Sequence, residues 1–178
     1  DLDRIRGNRP NGYLAPPLYG VWASAPYFHN GSVPTVWEVL KSTDRKPIWE
    51  RVSAPNTTGL DVVMGFDTSF QRAYDQQHLG WMYNEISCGT GSLPYLQCTA
   101  QGSDENPLLQ ALLSEVYGNG GFAWNLPSLL QIPLTNDQIE QRKIYNTTMY
   151  SQSNTGHEFT DVLTDQERMA IIEYLKTL

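Results

Sequence analysis

The stretch Tyr13-Leu14-Ala15-Pro16-Pro17-Leu18-Tyr19-Gly20-Val21-Trp22-Ala23-Ser24-Ala25-Pro26-Tyr27-Phe28-His29-Asn30-Gly31-Ser32-Val33-Pro34-Thr35 decides how the rest of the chain is read. It sets prolines, glycines, large aromatics and one imidazole in an order too irregular for a helix or a strand. A loop of this composition normally exists to hold something. Working outward, a second imidazole stands near the other end, in Ser153-Asn154-Thr155-Gly156-His157-Glu158-Phe159, just before a well-signed terminal helix. Two loop histidines with no hydrolase apparatus around them point to a metal or haem site.

The chain has 178 residues, enough for one domain with a real core. Its net charge is −7 and no basic stripe is present, which argues against nucleic acid as a partner. No apolar run approaches the roughly 20 residues needed to span a bilayer. The chain starts at Asp1 with neither Met nor signal peptide, so it reads as a processed chain or a piece of a longer one.

Cys88 and Cys98 flank a loop rich in Gly and closed by Pro94. A bridge there restricts the unfolded chain by roughly 3 kcal/mol on the entropy model. It also implies an oxidising compartment, periplasmic or secreted. The alternative is two unrelated buried thiols. A zinc pair needs much closer spacing.

Helices are expected to be few. Val33 to Lys41 is one, with Ser32 as cap, Pro34 in its first turn, and Val36, Val39 and Leu40 on one face. Leu108 to Tyr117 is another, capped by Asn106 and stopped at Gly118. Asn136 to Tyr145 is a third, with Ile139 and Ile144 inward. The last is the best signed: Thr164 and Glu167 make a capping box, and Met169, Ile171, Ile172, Leu175 and Leu178 make an apolar stripe. Leu60 to Met64 suggests a short strand. Loops as long as those between are uncommon unless they wrap a ligand, and a haem would supply the missing apolar centre.

Among single residues, His157 follows Gly156, which lets the backbone approach a bulky group closely. His29 precedes the turn dipeptide Asn30-Gly31. It is a candidate for iron ligation, for a propionate hydrogen bond, or for satisfying a buried carbonyl. His78 reads as a solvated histidine. Met64, Met82 and Met149 are candidate thioether ligands, although Met more often fills core. Trp22, Tyr19, Tyr27 and Phe28 could line a macrocycle or relay electrons, or simply pack as aromatic core. No phosphate loop, nucleophile elbow or H-E-x-x-H motif occurs.

Ala15 to Thr35 resembles a segment of periplasmic di-haem c-type cytochromes in the bacterial cytochrome c peroxidase superfamily. Ser153 to Phe159 and Leu163 to Leu178 resemble the C-terminal signature of its rubber oxygenase-like branch, and Gly65 to Ser69 fits that branch too. The match covers about a third of the chain, and Phe70 to Tyr150 matches only loosely. The resemblance implies a mostly α, cytochrome c-like lobe with long irregular haem-covering loops. It implies one domain over 1–178, with 70–150 a family-variable insertion. It implies that His157 is the distal axial ligand of an electron-transfer haem c, with His29 near the haem edge or a propionate and Trp22, Tyr27 and Phe28 around it. It implies calcium bound by the backbone carbonyls of Ser24 and Pro26. The peroxidases place a ligand Met 14 residues after that first histidine; Thr43 stands there in this chain, which favours bis-histidine ligation.

One departure matters. No C-x-x-C-H occurs, so this chain cannot attach haem c itself. The haem is expected on an N-terminal haem-bearing segment or on another chain, with a redox partner protein beyond; otherwise the chain is a relative that has lost its haems. The activity so implied is a haem-dependent oxidoreductase, peroxidase- or oxygenase-like, whose reactive centre lies elsewhere. A haem-free secreted binding module and a pure electron carrier are the competing readings.

Overall fold

Ile48-Trp49-Glu50-Arg51 is the segment around which the sheet is built. A computed structural model describes residues 17–54, 69–90 and 122–178, with Asp67, Cys98, Leu108, Leu112, Glu115 and Val116. In it these four residues form β1 (Ile48–Arg51), paired antiparallel on both sides. The helices are α1 (Val36–Leu40), α2 (Phe70–Ala73), α3 (Phe122–Leu129), α4 (Asn136–Gln141) and α5 (Asp165–Leu175). The other strands are β2 (Tyr74–Asp75), β3 (Gly80–Trp81), β4 (Tyr83–Glu85) and β5 (Ile144–Asn146). They make a three-stranded sheet in the order β4-β1-β5 and a β2–β3 hairpin.

The expected mostly α lobe is therefore wrong. Among the described residues short helices alternate with short antiparallel strands. The physical reason is Trp49, 2% exposed, which stacks on Tyr145 at 5.3 Å and meets Trp81 and Tyr83 edge-on. Cross-strand aromatic pairs of this kind stabilise a sheet by about 0.2–1 kcal/mol each. They draw Ile144 and Tyr145 out of the helix predicted over 136–145, which stops at Gln141.

The first predicted helix is shorter than expected. α1 starts at Val36, and Thr35 rather than Ser32 caps it, its side chain accepting from the Glu38 amide. Pro34 disfavours helical backbone at Val33, which instead bridges to Tyr27. The last helix forms as read, with both bonds of the Thr164–Glu167 capping box in place. Its stripe, Ile172 and Leu175 with Met169, Ile171 and Leu178, packs on Val36, Leu40 and Leu79. Leu79 comes from the hairpin, whose Gly80 lies so close to the 34–35 backbone that a Cβ would collide with the Pro34 carbonyl.

Leu108, Leu112, Glu115 and Val116 are helical, as the second helix required. The rest of that helix, and the strand expected over 60–64, lie outside the described residues. Cys88 and Cys98 form the expected disulfide, with Cα atoms 5.2 Å apart. No helix among the described residues is long and apolar enough to cross a membrane.

Candidate functional site

The quoted loop and the 153–159 segment meet in space. Tyr27 and Val33 pair through their backbones and close a turn over residues 28–32. Asn30 ties that turn outward: its Nδ2 donates to the Ser153 carbonyl at 2.8 Å and the Ser151 carbonyl at 3.3 Å. The Tyr145 hydroxyl donates to the Asn30 carbonyl at 2.6 Å, so β5 supports the turn from below. Trp49 donates its ring N–H to the Ser32 carbonyl at 3.1 Å. The Asn-Gly dipeptide thus does what its chemistry predicts, and its side chain also joins two loops more than 120 residues apart.

His157 sits at the junction. Its ring lies 4.8 Å from that of Phe28 and 6.4 Å from that of Phe159. His157, His29 and Phe159 are exposed, and Phe28 is half-buried. Phe28 and His157 both have left-handed backbone, at φ 64 and φ 54, and Gly156 stands at φ 79. Such a conformation costs a residue with a Cβ about 1–2 kcal/mol.

Arg45 lies between these turns and α1. It donates to the carbonyls of Asn154, Gly156 and His157, and to those of Glu38 and Val39 at the end of the helix. Its guanidinium carbon is 4.9 Å from the Phe28 ring centroid. Burial lowers its pKa, and the nearby carboxylates of Asp161, Glu158 and Glu38 oppose that. Sequence reading missed Arg45 because an isolated Arg in a polar stretch carries no motif, and its loop partners are 109 to 112 residues away.

The other predicted residues have other partners. The Tyr27 hydroxyl donates to the Val21 and Leu79 carbonyls, and burial raises its pKa. Trp22 lies on a 3-10 turn, Val21–Ala23, and its carbonyl accepts from the Tyr74 hydroxyl at 2.6 Å. The Ser24 hydroxyl donates to the Gly20 carbonyl. Pro26 follows a cis peptide, and its ring lies 3.2 Å from where a Cβ on Gly31 would sit. His78 is not merely solvated; its Nδ1 is 2.8 Å from Asp75 Oδ2. Met82 is exposed, Met149 half-buried, and Met64 lies outside the described residues.

A separate cleft of about 540 Å³ opens between α1 and β4, with Trp37, Lys46, His78 and Tyr83 among its walls. At its base Glu38 accepts hydrogen bonds from Tyr83 at 2.6 Å and Thr35 at 2.9 Å. Burial pushes the Glu38 carboxyl up, against the pull of those donors.

Among the described residues no three His, Cys, Asp or Glu gather as a metal cluster. Both cysteines are in the disulfide, so neither offers a thiol for thioether attachment. The described residues would offer a haem a single axial imidazole and no free thiol for covalent attachment. An exposed imidazole on a fixed turn, flanked by two phenyl rings, has what such ligation requires.

The 178-residue chain is 28% identical to "uncharacterized protein y4iJ" of Sinorhizobium fredii over 189 residues, a match that covers 98% of this chain and 20% of that protein. It thus spans about one fifth of the length of that relative. "Uncharacterized protein y4iM" of the same organism is 56% identical over 34 residues, 19% of this chain and 8% of the relative. Residues 12–50, which include the Phe28 turn, α1 and Arg45, match the family described as RoxA-like, cytochrome c-like, and this supports a RoxA-like cytochrome c family for that part of the chain.

Proposed function

We propose that this chain is the haem-covering part of a c-type cytochrome oxidoreductase and that His157 supplies an axial imidazole to a haem c attached on another segment or chain. The observation that carries the reading is the placement of His157: its ring projects exposed beside Phe28, from a turn tied to the segment that matches a cytochrome c-like family. A cytochrome c-like segment implies haem c in general, and haem c supplies one-electron redox chemistry when bound.

The residues of this chain have defined parts in that reading. His157 offers a ring nitrogen. Phe28 and Phe159 flank it. His29, on the same turn as Phe28, faces the haem edge or a propionate, and Trp22 and Tyr27 are the further haem-lining residues of this reading. The carbonyls of Ser24 and Pro26 are the proposed calcium ligands, since oxygen donors suit calcium whatever the side chain. Peroxide or dioxygen chemistry belongs to the complete protein, as does a redox partner. A disulfide and a cytochrome c-like segment are both consistent with a periplasmic or secreted location.

The test is spectroscopic, on the complete haem-bearing protein. His157→Ala should convert one haem from low to high spin, seen as loss of one low-spin EPR signal. An unchanged spectrum removes the assignment. A folded, complete protein with no Soret band would instead favour a haem-free binding module.

A further inference from the structure

The turn that presents His157 is in a conformation it would not keep by itself. Phe28 and His157 carry side chains yet sit at φ 64 and φ 54, next to Gly156 at φ 79. Strained backbone of this kind persists only where the surroundings over-determine it. Apolar burial does not do so here, because His157, Glu158 and Phe159 are all exposed. Asn30 joins the two turns at Ser151 and Ser153, and one guanidinium holds the carbonyls of Asn154, Gly156 and His157 while lying over the Phe28 ring.

We propose that Arg45 is the positioning residue of the His157 turn, fixing the backbone from which the imidazole projects so that the ring meets its ligand already oriented. The geometry supports this in three ways. Nη1 donates to the Asn154 and Gly156 carbonyls, both at 2.7 Å, and Nη2 to the His157 carbonyl at 3.1 Å. Nε donates to the Glu38 carbonyl at 2.8 Å, and Nη2 also reaches the Val39 carbonyl at 3.4 Å, anchoring the clamp to α1. The guanidinium also faces the Phe28 ring, which in turn contacts the His157 ring. Orphan carbonyls at a helix end need donors, and here the donor that satisfies them also holds the loop.

Arg suits this task because its five N–H groups form a rigid fork, and five carbonyls are engaged. Lys carries its donors on one nitrogen and cannot span both sets. Arg45 donates to the His157 backbone carbonyl and not to its ring, so it acts through the backbone of the ligand residue. A ring held in place loses less freedom on binding, so the clamp appears as affinity.

The inference rests on the axial-ligand reading for its consequence, and the experiment separates the two. The folded chain is titrated with a ferric haem c octapeptide that has one open axial position, followed by the Soret band and low-spin EPR. The wild type should form a low-spin adduct that His157→Ala loses. Arg45→Ala should bind about tenfold more weakly, equivalent to about 1.4 kcal/mol. Guanidinium ion, added well below denaturing concentration, should restore part of that affinity, whereas Arg45→Lys should not. Wild-type affinity in a folded Arg45→Ala overturns the proposal. If Arg45→Ala does not fold, Arg45→Lys decides in its place: weakened binding supports the clamp, full binding refutes it. If the wild type forms no adduct, the axial-ligand reading falls, and Arg45 is judged by amide exchange over Thr155–Glu158 and by the Phe28–His157 ring NOE. Both should collapse in the variant, and their persistence sinks the clamp.

Discussion

Ile172 and His157 lie in the same chain under opposite regimes. Ile172 is 0% exposed and packed among Val36, Leu40, Leu79 and Leu175. His157 is exposed, touched by the rings of Phe28 and Phe159, and its backbone hangs from a guanidinium. The first region is stabilised by removing apolar area from water, which is non-directional. The second is stabilised by charge-assisted hydrogen bonds, which fix direction. The contrast teaches that burial makes this fold, whereas the ring pair at the site is left open and aimed. α1 joins the two: Val36 and Leu40 face the core, while its last carbonyls are taken by Arg45 and Arg168.

The comparison breaks first at the core. Ile172→Ala should cost about 2–5 kcal/mol, measured by chemical denaturation. A loss below 1 kcal/mol would mean that burial does not govern this region. Next comes the joint. Arg168 is 4% exposed and donates to the carbonyls of Leu40, Asp161 and Thr160. Arg168→Met keeps the apolar stem and leaves those carbonyls without it, for a loss of about 1–3 kcal/mol. A neutral result would show that water replaces the guanidinium there.

A smaller effect is set by pH. Burial holds the folded Glu38 pKa above its ordinary value of 4.5. Between 4.5 and that higher value the folded chain binds more protons than the unfolded chain. Stability from this group is therefore fully present below the window and lost as pH rises through it. Melting curves of wild type minus Glu38→Gln should show that fall, and a flat difference would refute it. Last, His157→Gly should raise stability by up to about 1 kcal/mol, because glycine tolerates φ 54 without penalty. A destabilised His157→Gly would sharpen the comparison the other way, showing that the exposed ring adds packing.

Much of this was legible beforehand. The capping box at Thr164–Glu167 and the stripe on α5 were correct because both are local, with partners three or four residues apart. The disulfide was legible because its loop is short. The meeting of the two loops was not read from the sequence, and no spacing rule could have supplied it. The strands were missed because β1 pairs with residues roughly 35 and 95 positions away, and runs of three or four residues carry too little periodicity to show it. Tyr83 gave no signal either, since its partner Glu38 lies 45 positions away on α1.

By itself the sequence determined the terminal helix, the Asn30-Gly31 turn and the absence of a haem-attachment motif. Each depends on residue type over a few positions, which is what local sterics and hydrogen bonding read. The tertiary structure alone decided that Trp49 would gather a sheet, that Phe28 would lie against His157, and that Arg45 would join the 154–157 backbone to α1. Those contacts join residues a hundred or more positions apart or across strands, and they form only once burial has brought the backbones together.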